Sequence, residues 1–225
     1  MDKYFNKEYQ YGDIISILIQ DYNNKYEHKD ILFIRTPTTG EFLDNLFLEE
    51  DITRIMYYCD EIPKNYNKNT IITESENLEK TLLSINKKFD MVCLDSYHEY
   101  IYSIRDLTLI SSYLTETGVI ISHDCFPPCK EMAIPKYKSG GWCGETYIAF
   151  IEFAYNNPNY YYTILNIDTG IGIISKIELE NLKNIFNKDK QEKLILMHKN
   201  SDDDKYNYFC ENSVEIINTI HPNLL

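Results

Sequence analysis

The chain has 225 residues, enough for one well-buried domain and too few for two of ordinary size. Its formal net charge of −13 repels a phosphate backbone, so nucleic acid is not an expected partner. No apolar run reaches the roughly 18–20 residues that cross a bilayer, so a membrane is not expected either. Six cysteines without an apolar leader predict a cytoplasmic protein with reduced thiols.

Short apolar runs alternate with amphipathic stretches along much of the chain, which predicts alternating strands and helices. The predicted strands, in chain order, are 30–34, 52–58, 70–73, 90–95, 118–122, 160–167 and 172–176. The predicted helices are 8–21, 41–48, 75–86, 100–114 and 145–155. Asp168-Thr-Gly170 is a tight-turn signal between the last two strands. This order predicts an α/β fold with a mainly parallel sheet that closes with an antiparallel strand hairpin.

The remaining segments predict how the chain is organised. Residues 124–143 form a long loop, and a loop of this length in a compact domain is usually functional. After Lys176 the chain becomes more polar and helical. We therefore expect an N-terminal helical segment (1–27), an α/β domain (28–176) and a C-terminal helical extension packed on that domain (177–225). The extension would form either a substrate wall or a homo-oligomer contact.

Two neighbouring predicted strands end in acid and imidazole. The fourth strand leads into Asp95 and His98, and the fifth leads into His123 and Asp124. Open α/β sheets bind ligands at the carboxyl edge, where both of these strand ends lie. We therefore expect the four side chains to converge at one site. The structural alternative is that Asp95 caps the next helix and that His123 only donates to a backbone carbonyl.

Three cysteines near His123 suggest a different site, a structural zinc centre. Cys125 and Cys129 are separated by three residues, and Cys143 follows in the same loop. This spacing lacks the paired Cys-x2-Cys pattern of structural zinc sites. Reduced, partly buried thiols are therefore the favoured interpretation.

The order of the motifs resembles class I S-adenosylmethionine-dependent methyltransferases, which have a Rossmann-like sheet with helices on both faces. The resemblance covers roughly residues 28–176. Within that superfamily the chain is most similar to the small-molecule and sugar O-methyltransferase group, which includes macrocin O-methyltransferase-like and cephalosporin-hydroxylase-like proteins. The motifs that carry it are Asp95-x-x-His98, Gly118-Val-Ile-Ile-Ser-His-Asp124, Gly140-Gly-Trp142-x-Gly144 and Asn166-x-Asp-x-Gly170-x-Gly172.

The resemblance implies S-adenosylmethionine as cofactor and assigns five residues to its pocket: Arg35, Gly40, Asp60, Ser75 and Asp95. Asp60 matches the acid that accepts hydrogen bonds from the ribose diol. Ser75 follows the third strand, beside the adenine position. The turn after the first strand departs from the family's glycine-rich pattern, because only Gly40 remains and Arg35 stands where a small residue is expected.

The resemblance also implies methyl transfer to a hydroxyl of a small acceptor, such as a sugar or a sugar nucleotide. Asp95 and Asp124 would bind Mg²⁺ or Mn²⁺, which lowers the pKa of a hydroxyl. The candidate catalytic residues are His98, His123 and Asp124, with either histidine as the base. Trp142, the only tryptophan, either stacks on the acceptor or anchors the loop.

Two other functions stay open at this stage. The first is a cofactor-free binding or assembly module with a methyltransferase-like fold, which the altered turn from Arg35 to Gly40 favours. The second is a metal-dependent hydrolase that uses the same Asp/His residues on a water molecule. The sequence does not show a second group of metal ligands for that function.

Overall fold

The computed structural model of the chain describes residues 30–37, 52–58, 69–139, 141–179 and 182–220. Its strands are β1 (Ile31–Arg35), β2 (Ile52–Tyr57), β3 (Thr70–Thr73), β4 (Phe89–Asp95), β5 (Leu114–Ser122), β6 (Tyr161–Leu165), β7 (Ile171–Ser175) and β8 (Thr219–Ile220). The helices of these segments are α1 (Leu78–Ile85), α2 (Tyr100–Ser111), α3 (Thr146–Asn156), α4 (Lys188–Lys199) and α5 (Lys205–Ile217). The predicted helices over 8–21 and 41–48 lie outside the described residues.

The strands form one sheet in the order β3-β2-β1-β4-β5-β7-β6-β8. The first five strands pair in parallel, whereas β7 is antiparallel to both β5 and β6. These pairings confirm the predicted Rossmann-like α/β fold with an antiparallel hairpin. The antiparallel strand lies inside the sheet, and the outer strand is β8, which pairs in parallel with β6. The sequence did not predict β8, because two residues carry no periodicity.

The central strands are apolar throughout because both faces of the sheet are covered. Alternate residues of each strand enter two different hydrophobic clusters, as Leu32 and Phe33 of β1 show. All five described helices contribute to the larger cluster, which contains Leu82, Ile110 and Phe150. This packing fixes the carboxyl ends of β1, β4 and β5 side by side.

Several element boundaries differ from the prediction. β5 begins at Leu114 rather than at Gly118, because the pairing with β4 shifts register between Phe89 and Met91 and the strand continues beyond that irregularity. The helix predicted over 75–86 begins at Leu78, because Ser75 is buried in a short 3-10 turn, Ser75–Asn77, that precedes α1.

The C-terminal helices pack on the α/β core. The ring centroids of Phe209 in α5 and Tyr147 in α3 lie 4.8 Å apart, and the hydroxyl of Tyr206 donates to the carbonyl of Pro127 in the long loop. The division into segments 1–27, 28–176 and 177–225 stays a prediction. Within the segments that the structure describes, no helix combines the length and the apolar character needed to cross a membrane.

Candidate active site

Four acid and imidazole side chains meet at the carboxyl edge of the sheet. His98 Nε2 lies 3.1 Å from Asp124 Oδ2 and 3.4 Å from Asp95 Oδ1. His123 Nδ1 lies 3.5 Å from Asp124 Oδ2 and 3.7 Å from Asp95 Oδ1. Each of these side chains is at most 16% exposed. The cluster, which we call the Asp/His cluster, therefore brings together the residues that follow β4 and β5.

The backbone at the end of β5 turns so that consecutive residues face the same point. His123 donates its backbone N–H to the carbonyl of Leu94, which extends the β4–β5 pairing by one residue. Asp124 then adopts a left-handed conformation with φ of +59°. A non-glycine residue in this region is uncommon outside turns and helix C-caps, and strained residues of this kind cluster at active sites and ligand sites.

The ring of His98 is oriented by the long loop. Its Nδ1 lies 2.8 Å from the carbonyl oxygen of Trp142. Because a carbonyl only accepts, Nδ1 carries the proton, and in the neutral ring the lone pair is on Nε2, between the carboxylates of Asp95 and Asp124. Histidines that bind metals have this arrangement, with one nitrogen toward the metal and the other donating to a carbonyl or a carboxylate.

Trp142 anchors the loop against His98. Its indole N–H donates to the carbonyl of Ile134 at 2.7 Å, and its ring centroid lies 5.4 Å from that of His98. Gly144 allows the close approach, because a Cβ at this residue would lie 2.2 Å from the His98 carbonyl oxygen. That same oxygen accepts the backbone N–H of Glu145 at 2.9 Å. The anchoring role that the sequence left as an alternative for Trp142 is therefore present.

Sequence reasoning missed one residue of this site, Asp168. Its Oδ2 lies 3.1 Å from His123 Nε2, and the hydroxyl of Thr169 lies 2.9 Å from the same nitrogen. The sequence marked Asp168 as part of a turn and of one of the resemblance motifs, and gave it no role at the site. Because Gly172 of β7 pairs with Ser122 of β5, the turn before β7 lies beside the residue that follows β5. The sequence signal that could have identified Asp168 was an acid in the turn that joins the last two predicted strands at this edge of the sheet.

Charge and burial act in opposite directions on these groups. Burial alone would raise the pKa of Asp95, but hydrogen bonds and positive charge from His123 and His98 hold it below its usual range. Burial would lower the pKa of His98, but the carboxylates of Asp124 and Asp95 outweigh it and raise that pKa to about 9. The same balance, with Asp168 added, raises the pKa of His123 well above its ordinary value. At neutral pH and without a bound cation, the ring of His98 is therefore protonated.

Three residues of the Asp/His cluster have the geometry of a metal site. Asp95, His98 and Asp124 each offer one ligand atom, and these atoms lie within 4.8 Å of one another. Two carboxylate oxygens and one imidazole nitrogen suit Mg²⁺ or Mn²⁺. In the described part of the chain no cysteine belongs to such a group, so the zinc alternative built on Cys125, Cys129 and Cys143 is not formed there.

A cavity of about 320 Å³ lies at the ends of β2, β3 and β4, within the usual range of small-molecule sites. It is acidic and aromatic, and its lining consists of Tyr58, Glu74, Ser75, Glu76, Tyr97, Glu99 and Tyr102. Glu99 Oε2 is buried and has no hydrogen-bond partner among the described residues. A buried carboxylate oxygen without a donor is costly unless a ligand supplies one. The cavity therefore has the chemistry of a site for a polar, uncharged or cationic ligand.

No family model matches the chain, and no curated protein sequence matches it. Solved structures do resemble it. An O-methyltransferase from Bacillus cereus in complex with S-adenosylhomocysteine (SAH) has a TM-score of 0.53 at 14% identity, over 73% of this chain and 79% of that one. The chain has the class I methyltransferase fold.

Two further structures with this fold are similar at still low identity. The SAH-bound methyltransferase PaMTH1 from Podospora anserina has a TM-score of 0.50 at 16% identity, over 74% of this chain and 78% of that one. The mycinamycin-pathway methyltransferase MycE, in complex with Mg and SAH, has a TM-score of 0.50 at 10% identity, over 76% of this chain and 52% of that one. At these identities the likeness is one of fold.

The predicted cofactor residues of this methyltransferase fold lie in three different places. Ser75 lines the acidic cavity. Asp95 belongs to the Asp/His cluster, and Arg35 is buried at the end of β1, level with Asp95 in the β1–β4 register. Gly40 and Asp60 lie outside the described residues. Glu99, which the sequence did not single out, lines the cavity and has a buried oxygen without a hydrogen-bond partner among the described residues.

Proposed function

We propose that this protein is an S-adenosylmethionine-dependent O-methyltransferase that acts on a small hydroxylated acceptor of sugar type. The observation that carries the proposal is the adjacency of two sites on the class I methyltransferase fold. The acidic cavity and the Asp/His cluster are joined by the segment from Asp95 to Glu99, which contributes to both. One site suits the nucleoside of the cofactor, and the other suits a hydroxyl and a divalent cation.

The chemistry of the cavity favours S-adenosylmethionine over a dinucleotide. Among the described residues that line the cavity, Glu74, Glu76 and Glu99 are acidic and none is a lysine or an arginine, so this lining would repel a phosphate-bearing ligand. S-adenosylmethionine carries no phosphate, and its sulfonium is positive. Glu99 Oε2 would accept a hydrogen bond from a ribose hydroxyl or from the adenine amino group, and Tyr97 offers an aromatic face. Ser75, which lines this cavity, is assigned to the cofactor. The family resemblance adds Arg35, which is buried at the end of β1 and does not line the cavity, together with Gly40, Asp60 and Asp95.

The Asp/His cluster would bind the acceptor hydroxyl and a divalent cation, Mg²⁺ or Mn²⁺. Asp95, His98 and Asp124 would hold this cation, which when bound lowers the pKa of a hydroxyl. The orientation of His98 toward both carboxylates supports its inclusion as a third ligand. Since His98 Nε2 lies closer to both carboxylates than His123 Nδ1 does, we assign His123 as the base that takes the acceptor proton at Nδ1.

Trp142 would form one wall of the acceptor site. Its ring is half-buried beside His98, and Tyr137 packs edge-on against it with ring centroids 5.4 Å apart. Aromatic rings of this kind bind the apolar face of a sugar. The five described cysteines are free thiols, which suits a reducing compartment such as the cytoplasm.

Calorimetric titration with S-adenosylmethionine, with and without Mg²⁺, tests the cofactor assignment. We expect saturable binding that weakens about tenfold in Glu99→Gln, as for loss of a charged hydrogen bond. Glu116→Gln is the matched control, because that carboxylate is 98% exposed on β5. No heat for the wild type in either condition would contradict the proposal. It would favour a cofactor-free binding module, to which the buried Arg35 at the end of β1 also points.

Release of SAH in the presence of a methyl glycoside or catechol, as probe acceptors, tests the reaction. We expect turnover that depends on Mg²⁺ or Mn²⁺ and is lost in Asp124→Asn, while that variant still binds S-adenosylmethionine. Turnover that survives in Asp124→Asn would show that the Asp/His cluster is not the reaction site.

A further inference from the structure

We propose that Asp168 is a positioning residue that orients the ring of His123 so that Nδ1 faces the acceptor. This inference rests on the proposed function, in which His123 takes the hydroxyl proton. Asp168 lies on the turn between β6 and β7, outside the strands that carry the other site residues. It therefore adds a third chain segment to the site.

The hydrogen bond itself determines which nitrogen carries the proton. His123 Nε2 lies 3.1 Å from Asp168 Oδ2. Because an ionised carboxylate only accepts, Nε2 bears a hydrogen, and the lone pair of the neutral ring is on Nδ1. Nδ1 lies 3.5 Å from Asp124 Oδ2 and 3.7 Å from Asp95 Oδ1, on the inner side of the Asp/His cluster. A base held in this way is already oriented before the acceptor arrives.

The turn that carries Asp168 is fixed against the segment after Asp124. Two backbone hydrogen bonds join them, from Cys125 N–H to the Gly170 carbonyl and from Phe126 N–H to the Thr169 carbonyl, both at 2.9 Å. Gly170 has φ of +87°, and a Cβ there would lie 2.0 Å from the Phe126 nitrogen. The position of Asp168 is therefore set by the backbone around it.

Thr169 adds a second contact to the same nitrogen. Its hydroxyl lies 2.9 Å from His123 Nε2, so the ring is held by two oxygen atoms on adjacent residues. Pairs of a base and an orienting carboxylate are a recurring feature of nucleophile and proton-transfer sites. Since Asp168 is 29% exposed, we expect its removal to lower kcat by roughly 10- to 100-fold, at or below the lower end of the range for general-base effects.

Two variants separate the carboxylate from the backbone. Asp168 has φ of +56°, which glycine adopts without strain, so Asp168→Gly keeps the turn and removes the acceptor. Asp168→Asn tolerates the same φ and keeps an oxygen that accepts from Nε2–H. NMR of the imidazole protons, assigned with His123→Gln, then reports the hydrogen bond directly in the free protein.

We expect a downfield, exchange-protected Nε2–H resonance of His123 in the wild type, retained in Asp168→Asn and shifted upfield in Asp168→Gly, where only the hydroxyl of Thr169 remains as a partner. Where a probe acceptor turns over, kcat should fall in Asp168→Gly with an unchanged KM for S-adenosylmethionine, and Asp168→Asn should restore part of it. An unshifted resonance in Asp168→Gly, or absence of the resonance from the wild type, overturns the inference. Calorimetry on the same samples distinguishes the two proposals. Failure to bind S-adenosylmethionine refutes the proposed function, whereas the NMR result alone tests whether Asp168 orients His123.

Discussion

The affinity of the Asp/His cluster for a divalent cation should depend steeply on pH. Burial would lower the pKa of His98, but Asp124 and Asp95 raise it to about 9. A metal needs the lone pair on Nε2, so it competes with the proton for that nitrogen. With a pKa of about 9, the neutral ring makes up about 1% of the protein at pH 7, about 10% at pH 8 and about half at pH 9.

The apparent association constant for Mn²⁺ should therefore rise roughly tenfold between pH 7 and pH 8 and level off above about pH 9. At about pH 7.5, each Mn²⁺ that binds should release about one proton. Electron paramagnetic resonance of free Mn²⁺ measures the affinity. Calorimetry in buffers of different ionisation enthalpy measures the proton release.

Two variants make this prediction refutable. His98→Gln should bind Mn²⁺ more weakly, with little pH dependence over the same interval. His123→Gln is the matched control and should keep the dependence, although the pKa of His123 is also raised. If His98→Gln shows the same slope as the wild type, the competing proton is not on His98 and its assignment as a ligand is wrong.

Three further predictions concern stability. Gly144→Ala places a carbon 2.2 Å from the His98 carbonyl oxygen at a φ of +59°. Thermal denaturation should therefore show a free energy of unfolding lower by roughly 1–3 kcal/mol. An unchanged midpoint would contradict the close approach. Asp106 is fully buried and accepts hydrogen bonds from the hydroxyls of Tyr57 and Ser96. Urea denaturation of Asp106→Ala should show a free energy of unfolding lower by about 2–4 kcal/mol. Thr108→Ala, at an exposed residue of the same helix, should lose little, and equal losses would refute the contribution of these hydrogen bonds. Burial would raise the pKa of Glu145, but His198 and Lys205 hold it below its usual value of 4.5. Its contribution is therefore present above about pH 4.5 and lost as the pH falls through the lower folded pKa. In acid denaturation, Glu145→Gln should lack this pH-dependent contribution to the free energy of unfolding. An acid profile identical to that of the wild type would contradict the contribution of Glu145.

The strands were predictable because the central sheet is covered on both faces. β1 and β4 read as continuous apolar runs, and both were predicted to within one residue at each end. β5 was predicted too short, since Thr115-Glu-Thr117 is polar and extends the strand past a register shift. β8 was not predicted because its pairing with β6 depends on the position at which the chain leaves α5.

The identity of the site residues was more predictable than their roles. An acid and a histidine at each of two adjacent strand ends were enough to predict that Asp95, His98, His123 and Asp124 meet. The different orientations of the two rings could not be predicted, because His98 is turned by the carbonyl of Trp142, 44 residues away in the sequence. Asp168 reaches His123 only because β7 is inserted next to β5.

The segment from Asp95 to Glu99 has a thermodynamic consequence. Asp95 faces the Asp/His cluster, Glu99 faces the acidic cavity, and the hydroxyl of Tyr97 between them donates to the carbonyl of Tyr58. A ligand that orders one end of so short a segment lowers the conformational cost of ordering the other. For the proposed cation and cofactor we therefore expect linked affinities, and any factor by which one ligand changes the affinity of the other applies equally in reverse.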